Sequence, residues 1–255
     1  MMESARMHGA RKIIILGALS AIAEKAARAW ASEGAQLILA GRQSGRLEQV
    51  ANDLRVRGGV VCTWVADLAA VDAVKSLGEM AAWLQGVDVV LLAYGILGDH
   101  SKGETDPAAA QQVLLTNFVS ATAWCLAAAN IFERQGRGAL VVIGSVAGDR
   151  GRASNYIYGA CKGGLGILVQ GIAHRLAQRG ARAVLVKPGF VDTPMTAAIA
   201  NKGLLWAEPD DVAAVILGVV ENARTRPIVY APAFWRWIMY VVRFLPSAIM
   251  HKTRV

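Results

Sequence analysis

At 255 residues, 55% of them apolar and 18% charged, the chain can bury the core of one large domain or two small ones, and it is too apolar for a disordered protein. The formal net charge of +8 reads either as a plain basic surface or as a match to an anionic partner such as a phosphate or an anionic membrane. No basic stripe or base-reading motif accompanies that charge, which excludes nucleic acid. Cys62, Cys125 and Cys161 are odd in number and lie within strand or helix patterns, so they read as reduced thiols in a cytoplasmic protein. His8, His100, His174 and His251 are scattered without ligand spacing, so no metal site is expected.

Residues 1–10 read as a loose leader. Arg11-Lys12 ahead of an apolar run imitates a secretory signal, with its basic flank and small residues. A strand, a turn and an amphipathic helix account for more of the same residues. Lys12–Leu16 is rich in β-branched residues, as a buried parallel strand is. Gly17 opens a turn, Ile22–Glu33 has helical periodicity, and Gly34 closes that helix. Ala35–Ala40 is a second strand running into Gly41-Arg42, and Arg46–Arg57 a helix stopped by Gly58-Gly59. A third strand, Val60–Val65, leads to Asp67-Leu68, and a helix spans about Val71–Leu84. Val87–Ala93 is a fourth strand ending at Tyr94-Gly95. Pro107 starts a long helix reaching about Gln135, with Asn117 near its middle. Ala139–Ile143 is the fifth strand, Tyr158–Arg179 a helix stopped by Gly180, and Ala183–Lys187 the sixth strand before Pro188-Gly189. Ile228–Ala231 reads as the last strand. Unbroken strand-helix alternation predicts right-handed βαβ units: a Rossmann-type, doubly wound parallel sheet of about seven strands with helices on both faces, as one domain over residues 1–231.

The chemistry sits after the fifth strand. That strand ends at Ser145, and Tyr158 and Lys162 follow. Four residues of helix put Tyr158 and Lys162 on one face, about one turn apart. A free phenol has a pKa near ~10, and a fixed cation lowers it. The Ser145 hydroxyl can orient a carbonyl oxygen within reach of the tyrosine. Together the three form a proton-transfer site for a carbonyl/alcohol pair. Tyr156, two residues earlier, points elsewhere on the helix and reads as a packing or pocket-wall residue.

Placed after a buried strand and downstream of a strand-turn-helix start, these residues resemble the short-chain dehydrogenase/reductase family over nearly the whole chain. The resemblance implies the catalytic tetrad Asn117, Ser145, Tyr158 and Lys162, with the backbone carbonyl of Asn117 holding a water beside the lysine. It implies hydride transfer between a nicotinamide and a carbonyl carbon, with Tyr158 exchanging the proton. The turn Gly17-Ala-Leu-Ser-Ala-Ile-Ala23 keeps only the first of the family's three glycines; small alanines stand at Ala21 and Ala23. Such a turn lets backbone approach a pyrophosphate at a helix N-terminus, and alanine fits where φ is negative. Ser20 and Ile22 are then expected on the phosphate and nicotinamide side. Arg42 ends the second strand where an acidic residue would bind the ribose of NAD, so NADP(H) is expected over NAD(H), unless Arg42 is a plain surface residue. Asp67 and Leu68 match the family's adenine contact, although Asp67 could equally cap a helix. Gly95 remains where Tyr94 replaces the family's usual asparagine. Pro188, Gly189, Val191 and Thr193 match the segment that holds the nicotinamide amide. The family also implies a homodimer or homotetramer paired through the Asn117 and Tyr158 helices.

Residues 194–206 are expected to form a lid, made apolar by its alanines, Met195, Leu204, Leu205 and Trp206, with Lys202 as its one cation. The tail, residues 232–255, is apolar and basic, with Arg236 and Arg243 seven apart on one helix face. The twelve large residues from Phe234 to Leu245 are too few to span a bilayer, which needs about twenty. Two readings stay open: a helix lying in the inner membrane interface, and a tail covering a core or a dimer contact. The tail, Tyr94–Asp99 and Ala147–Arg152 are similar to the branch of the family that reduces decaprenylphosphoryl 2-keto-ribose and works with a flavin oxidase. That likeness implies a polyprenyl-phosphoryl 2-keto-pentose, its phosphate met by Arg150, Arg152 and the C-terminal cations His251, Lys252 and Arg254, unless each of these is a solvated surface charge. Alternatives on the same fold are a soluble reductase of acyl or other lipid-like ketones and a catalytically silent nucleotide-binding protein.

Overall fold

The computed structural model describes residues 10–199 and 202–252. The leader up to residue 9, two lid positions and Arg254 lie outside the described residues. Seven parallel strands form one sheet: β1 (Lys12–Leu16), β2 (Gln36–Gly41), β3 (Val60–Val65), β4 (Val89–Leu92), β5 (Gly138–Ile143), β6 (Ala181–Pro188) and, after a small separate pair, β9 (Ile228–Ala231). That pair is β7 (Phe190–Val191) and β8 (Trp206–Ala207). The order across the large sheet is β3-β2-β1-β4-β5-β6-β9. The chain winds outward one way from β1 to β3, then returns to add β4 on the other side. Ligands of such sheets sit at this reversal, beyond the C-terminal strand ends.

Strand sequence explains the burial. In β1, Ile13 and Ile15 face one layer while Ile14 and Leu16 face the other, and all four are fully buried. A strand covered on both faces needs apolar residues at every position. One layer contains α1 (Ala21–Ser32), α2 (Ser44–Val56) and, later in the chain, α8 (Pro209–Glu221). The other contains α3 (Ala73–Trp83), α6 (Ser120–Gln135) and α7 (Tyr156–Ala177). Trp124 of α6 is buried there, and its indole donates to the Leu68 carbonyl at 2.8 Å, tying this layer to the end of β3. Losing so large a side chain from a core costs about 3–5 kcal/mol.

Two features depart from the sequence reading, and a third matches one of the two readings left open for the tail. The helix expected from Pro107 to Gln135 divides into α5 (Pro107–Leu114), a π-helical turn (Leu115–Val119) and α6, preceded by a short α4 (His100–Thr105). A π turn accommodates an extra residue and breaks the i→i+4 ladder, a feature frequent at functional sites. Helix α8 carries signals that the sequence reading passed over: Pro209 in its first turn, Asp210 and Asp211 beside it, and a reciprocal cap between Glu208 and Asp211. The tail helix α9 (Trp235–Phe244) folds back onto the domain and is followed by a short α10 (Ser247–Met250). Trp235 and Met239 bury themselves against Val146, with Phe190 and Tyr230 at the edge of the cluster.

Candidate active site

Strand β5 delivers Ser145 directly into a single 3-10 turn, Val146–Gly148. Its hydroxyl oxygen accepts from the Ala147 amide at 3.1 Å, which fixes the side chain at the turn. The turn lies in direct contact with α7. A methyl on Gly148 would stand 2.6 Å from the Lys162–Gly163 backbone, and one on Gly159 would stand 2.8 Å from the Ala147 carbonyl oxygen. No side chain fits between the two elements, so Ser145 is held against the helix that bears Tyr158 and Lys162. The Ser145 side chain lies close enough to the Tyr158 phenol to favour its ionised form.

Lys162 is only 4% exposed, and its ammonium donates to the Ile143 carbonyl at 2.9 Å. It stands 5.7 Å from the centre of the Tyr158 ring. Burial pushes the Lys162 ammonium down to about 8. Burial also pushes the Tyr158 phenol up to about 12, and the nearby Ser145 side chain opposes only part of that rise. Burial of the phenol thus works against the lowering expected from a neighbouring cation. A phenol that stays protonated at neutral pH is a proton donor, which suits reduction of a carbonyl.

Asn117 sits in the π turn and is 1% exposed. Its amide oxygen accepts from the Ile96 amide at 2.9 Å, and its amide nitrogen donates to the Ile96 carbonyl at 2.7 Å. It stands behind Gly95, where a methyl would come within 2.5 Å of the Asn117 oxygen and 3.8 Å of the Lys162 nitrogen. The side chain clamps the segment after β4 rather than facing the cleft. Tyr94 turns its hydroxyl to Ser120 at 2.8 Å, and burial raises its pKa beyond the usual range.

Ser145, Tyr158 and Lys162 open into one cleft of about 980 Å³ at the strand reversal. Gly17, Ser20, Ile22, Arg42, Asp67, Leu68, Gly95, Pro188, Gly189, Val191 and Thr193 line the same cleft. Gly17 has φ +87°, and a side chain there would run into Tyr94 at 2.6 Å. Ala21 and Ala23 lie within α1, where φ is negative, so alanine fits at both. Asp67 accepts from the Ala69 amide at 3.0 Å in a local turn, while the cap of α3 is Asp72. Arg42, just before α2, and Arg46, in its first turn, both line the cleft, as does Gln43. Sequence reading missed Arg46, although its spacing of four from Arg42 was available. The donors fit a dinucleotide: an N-terminal helix end beside Gly17 and Ser20 for a pyrophosphate, exposed arginines at one end, and a buried lysine at the other.

At the substrate end, the lid residues Met195, Thr196 and Ile199 reach the cleft, whereas Leu204 is fully exposed. Lys202 pairs with Asp192 at 2.5 Å. Arg150 does not meet the cleft: it donates to the carbonyls of Arg243 at 3.2 Å and Leu245 at 3.1 Å, closing the end of α9. That corrects the expectation that Arg150 meets a substrate phosphate. Arg152 does line the cleft. Next to the site, Asp149 pairs with buried Lys187 and accepts from the Tyr230 hydroxyl at 2.8 Å. The Trp235 ring lies on Gly189, so close that any side chain at that position would overlap it.

A model of the short chain dehydrogenase family matches residues 11–203. The chain is 36% identical over 245 residues to an uncharacterized oxidoreductase of Streptomyces coelicolor, covering 95% of each chain. It superposes on a solved short chain dehydrogenase/reductase family protein with a TM-score of 0.75 and 29% identity, covering 87% of this chain and 96% of the other. It also shares the fold of a xylitol dehydrogenase solved with NAD+, with a TM-score of 0.76, 17% identity and coverage of 86% and 95%.

Proposed function

The chain belongs to the short chain dehydrogenase family and is an NAD(P)-dependent oxidoreductase acting on CH–OH groups, and from that premise we propose that it reduces a ketone to a secondary alcohol with NADPH. The carrying observation is the convergence of Ser145, Tyr158 and Lys162 on one cleft whose far end holds Arg42 and Arg46. A bound nicotinamide supplies the hydride. Ser145 orients the carbonyl oxygen and stabilises the negative charge that develops on it. Tyr158 donates its proton to that oxygen. Lys162 holds its charge beside the phenol and carries a hydrogen-bonding ammonium to the cofactor side of the cleft. Asn117 keeps the Ile96 segment and Gly95 in position behind the lysine.

Arg42 and Arg46 support NADP(H) over NAD(H): a 2′-phosphate at the N-terminus of α2 would meet two guanidiniums and a positive helix end. The substrate end combines apolar Val113, Ile157, Met195 and Ile199 with one arginine, Arg152. This supports a ketone bearing both an apolar chain and an anionic group, and a polyprenyl-phosphoryl 2-keto-pentose meets both requirements. The outward face of α9 adds to that reading. Trp237, Tyr240, Val241 and Phe244 are exposed there, and the Arg236 guanidinium lies 4.5 Å from the Trp237 ring centre. Aromatics flanked by arginine on a chain of net charge +8 match an anionic bilayer interface.

The deciding assay follows NADPH oxidation with a synthetic polyprenyl-phosphoryl 2-keto-pentose and identifies the secondary alcohol formed. Turnover of short neutral ketones only would redirect the assignment to another ketone class. For the surface, co-sedimentation with phosphatidylglycerol vesicles, but not phosphatidylcholine vesicles, is expected, and should be lost in Trp237→Ser/Phe244→Ser. Equal sedimentation of both proteins, or self-association through this face, removes the membrane from the reading.

A further inference from the structure

The loop between Ser145 and α7 is tied down at three points. Asp149 is held by Lys187 and Tyr230, Arg150 by the carbonyls ending α9, and the Ala153 carbonyl by His100 at 2.7 Å. Asn155 closes a turn onto the Arg152 carbonyl through its amide at 3.2 Å. The backbone that carries Arg152 and Asn155 is thus fixed by long-range contacts.

The two side chains are not. Among the described residues, Arg152 has no side-chain hydrogen bond and no ion pair, and its Nε is enclosed without a partner. The Oδ1 of Asn155 is likewise enclosed and unpartnered, and it does not cap α7 although it stands at the cap position. Nearby carboxylates are already engaged. Asp149 serves Lys187, Asp99 caps α4 through the Lys102 amide, and Glu104 faces His100 at 3.3 Å. Burying a guanidinium without a counter-charge is costly, and burial lowers the Arg152 pKa accordingly. Both residues line the cleft beside Ser145 and Tyr158. Arg42 lies past β2, three strand spacings from β5, about 14 Å across the sheet. The pair therefore lies on the Ser145 and Tyr158 side of the cleft, away from the arginines at its other end.

We propose that Arg152 and Asn155 form the specificity site for an oxyanion on the substrate, a phosphate ester or a carboxylate, with the Asn155 amide bonding a neighbouring hydroxyl. The planar guanidinium fork matches either anion in two-point fashion. The unpaired Asn155 oxygen accepts from a hydroxyl, which favours a hydroxylated ketone such as a sugar derivative. This inference rests on the ketone-reductase reading for its substrate, and the test separates the two.

With saturating NADPH and the full chain, kcat/KM is measured for ribulose 5-phosphate against ribulose, and for levulinate against ethyl levulinate. The charged member of at least one pair is expected to be favoured by about tenfold or more, the scale of one charge-assisted contact. In Arg152→Gln the ratio should collapse toward one, and Arg152→Lys should restore part of it. Arg179→Gln, at an exposed arginine paired with Glu133 outside the cleft, should leave the ratio unchanged. A ratio unaltered in Arg152→Gln, or a preference for the neutral ketones, overturns the proposal. The second arm needs no turnover: NADP+-loaded protein is titrated calorimetrically with hexyl phosphate, hexanoate and hexanol. Binding of either anion but not hexanol, abolished in Arg152→Gln, supports the subsite even if every ketone goes unreduced, and that combination defeats the reductase reading alone. Equal anion binding by the wild type and Arg152→Gln defeats the subsite. The stronger of the two anions distinguishes phosphate from carboxylate.

Discussion

The two ends of the cleft are built in different ways. Most of the cofactor end is made from strand ends and helix starts within residues 12–95, where backbone and small residues set its shape, with Lys162 and residues 188–193 completing it. The substrate end is assembled by side chains from distant parts of the chain: Asp149 reaches Lys187 and Tyr230, and Arg150 reaches the end of α9 near Leu245. One end is a property of the fold, and the other is a property of this sequence. Substrate choice can thus change through a few tertiary contacts while hydride chemistry stays in place.

That contrast can be broken most sharply at the junction. Tyr158→Phe removes the proton donor and is expected to lower kcat by about 10²–10⁴-fold, with NADPH affinity changed less than about threefold. Fluorescence titration alongside steady-state kinetics checks both, and retained turnover would remove Tyr158 from the mechanism.

The network at the substrate end should matter for stability. Lys187→Met leaves the Asp149 carboxylate buried without its cation. Breaking a buried pair in this way costs about 3–5 kcal/mol, or roughly 6–20 °C in Tm for a domain of this size. Calorimetry of the variant should show that loss, and an unchanged Tm would mean that the pair does not anchor the loop.

At the cofactor end the expected effects are on selectivity. Arg42→Asp should lower the NADPH/NADH ratio in kcat/KM by about 10–100-fold, because a carboxylate repels the 2′-phosphate and accepts from a ribose hydroxyl. An unchanged ratio would leave Arg42 as a surface residue. The smallest effect is in pH. Lys162, pushed down to about 8, is charged below that pH and neutral above it, while Tyr158 at about 12 stays protonated throughout. Reduction should therefore fall as pH rises through about 8, toward tenfold per unit. A profile flat to about pH 10 would contradict that assignment.

Alternating strand and helix patterns, glycine stops and β-branched runs gave the doubly wound sheet without any coordinates, because local periodicity and the handedness of βαβ connections leave few other arrangements. The Tyr158–Lys162 spacing placed both on one helix face for the same reason. Burial lay beyond that reach, since it depends on what packs from elsewhere. The helix spacing could not say that desolvation would raise the phenol of Tyr158. The Asn117 clamp on Ile96 and the Trp235–Gly189 contact are equally invisible along the chain, since each joins positions far apart in sequence. Two arginines two residues apart looked equivalent in sequence. Only the tertiary structure divided them, giving Arg150 the carbonyls of α9 and leaving Arg152 in the cleft without a partner among the described residues.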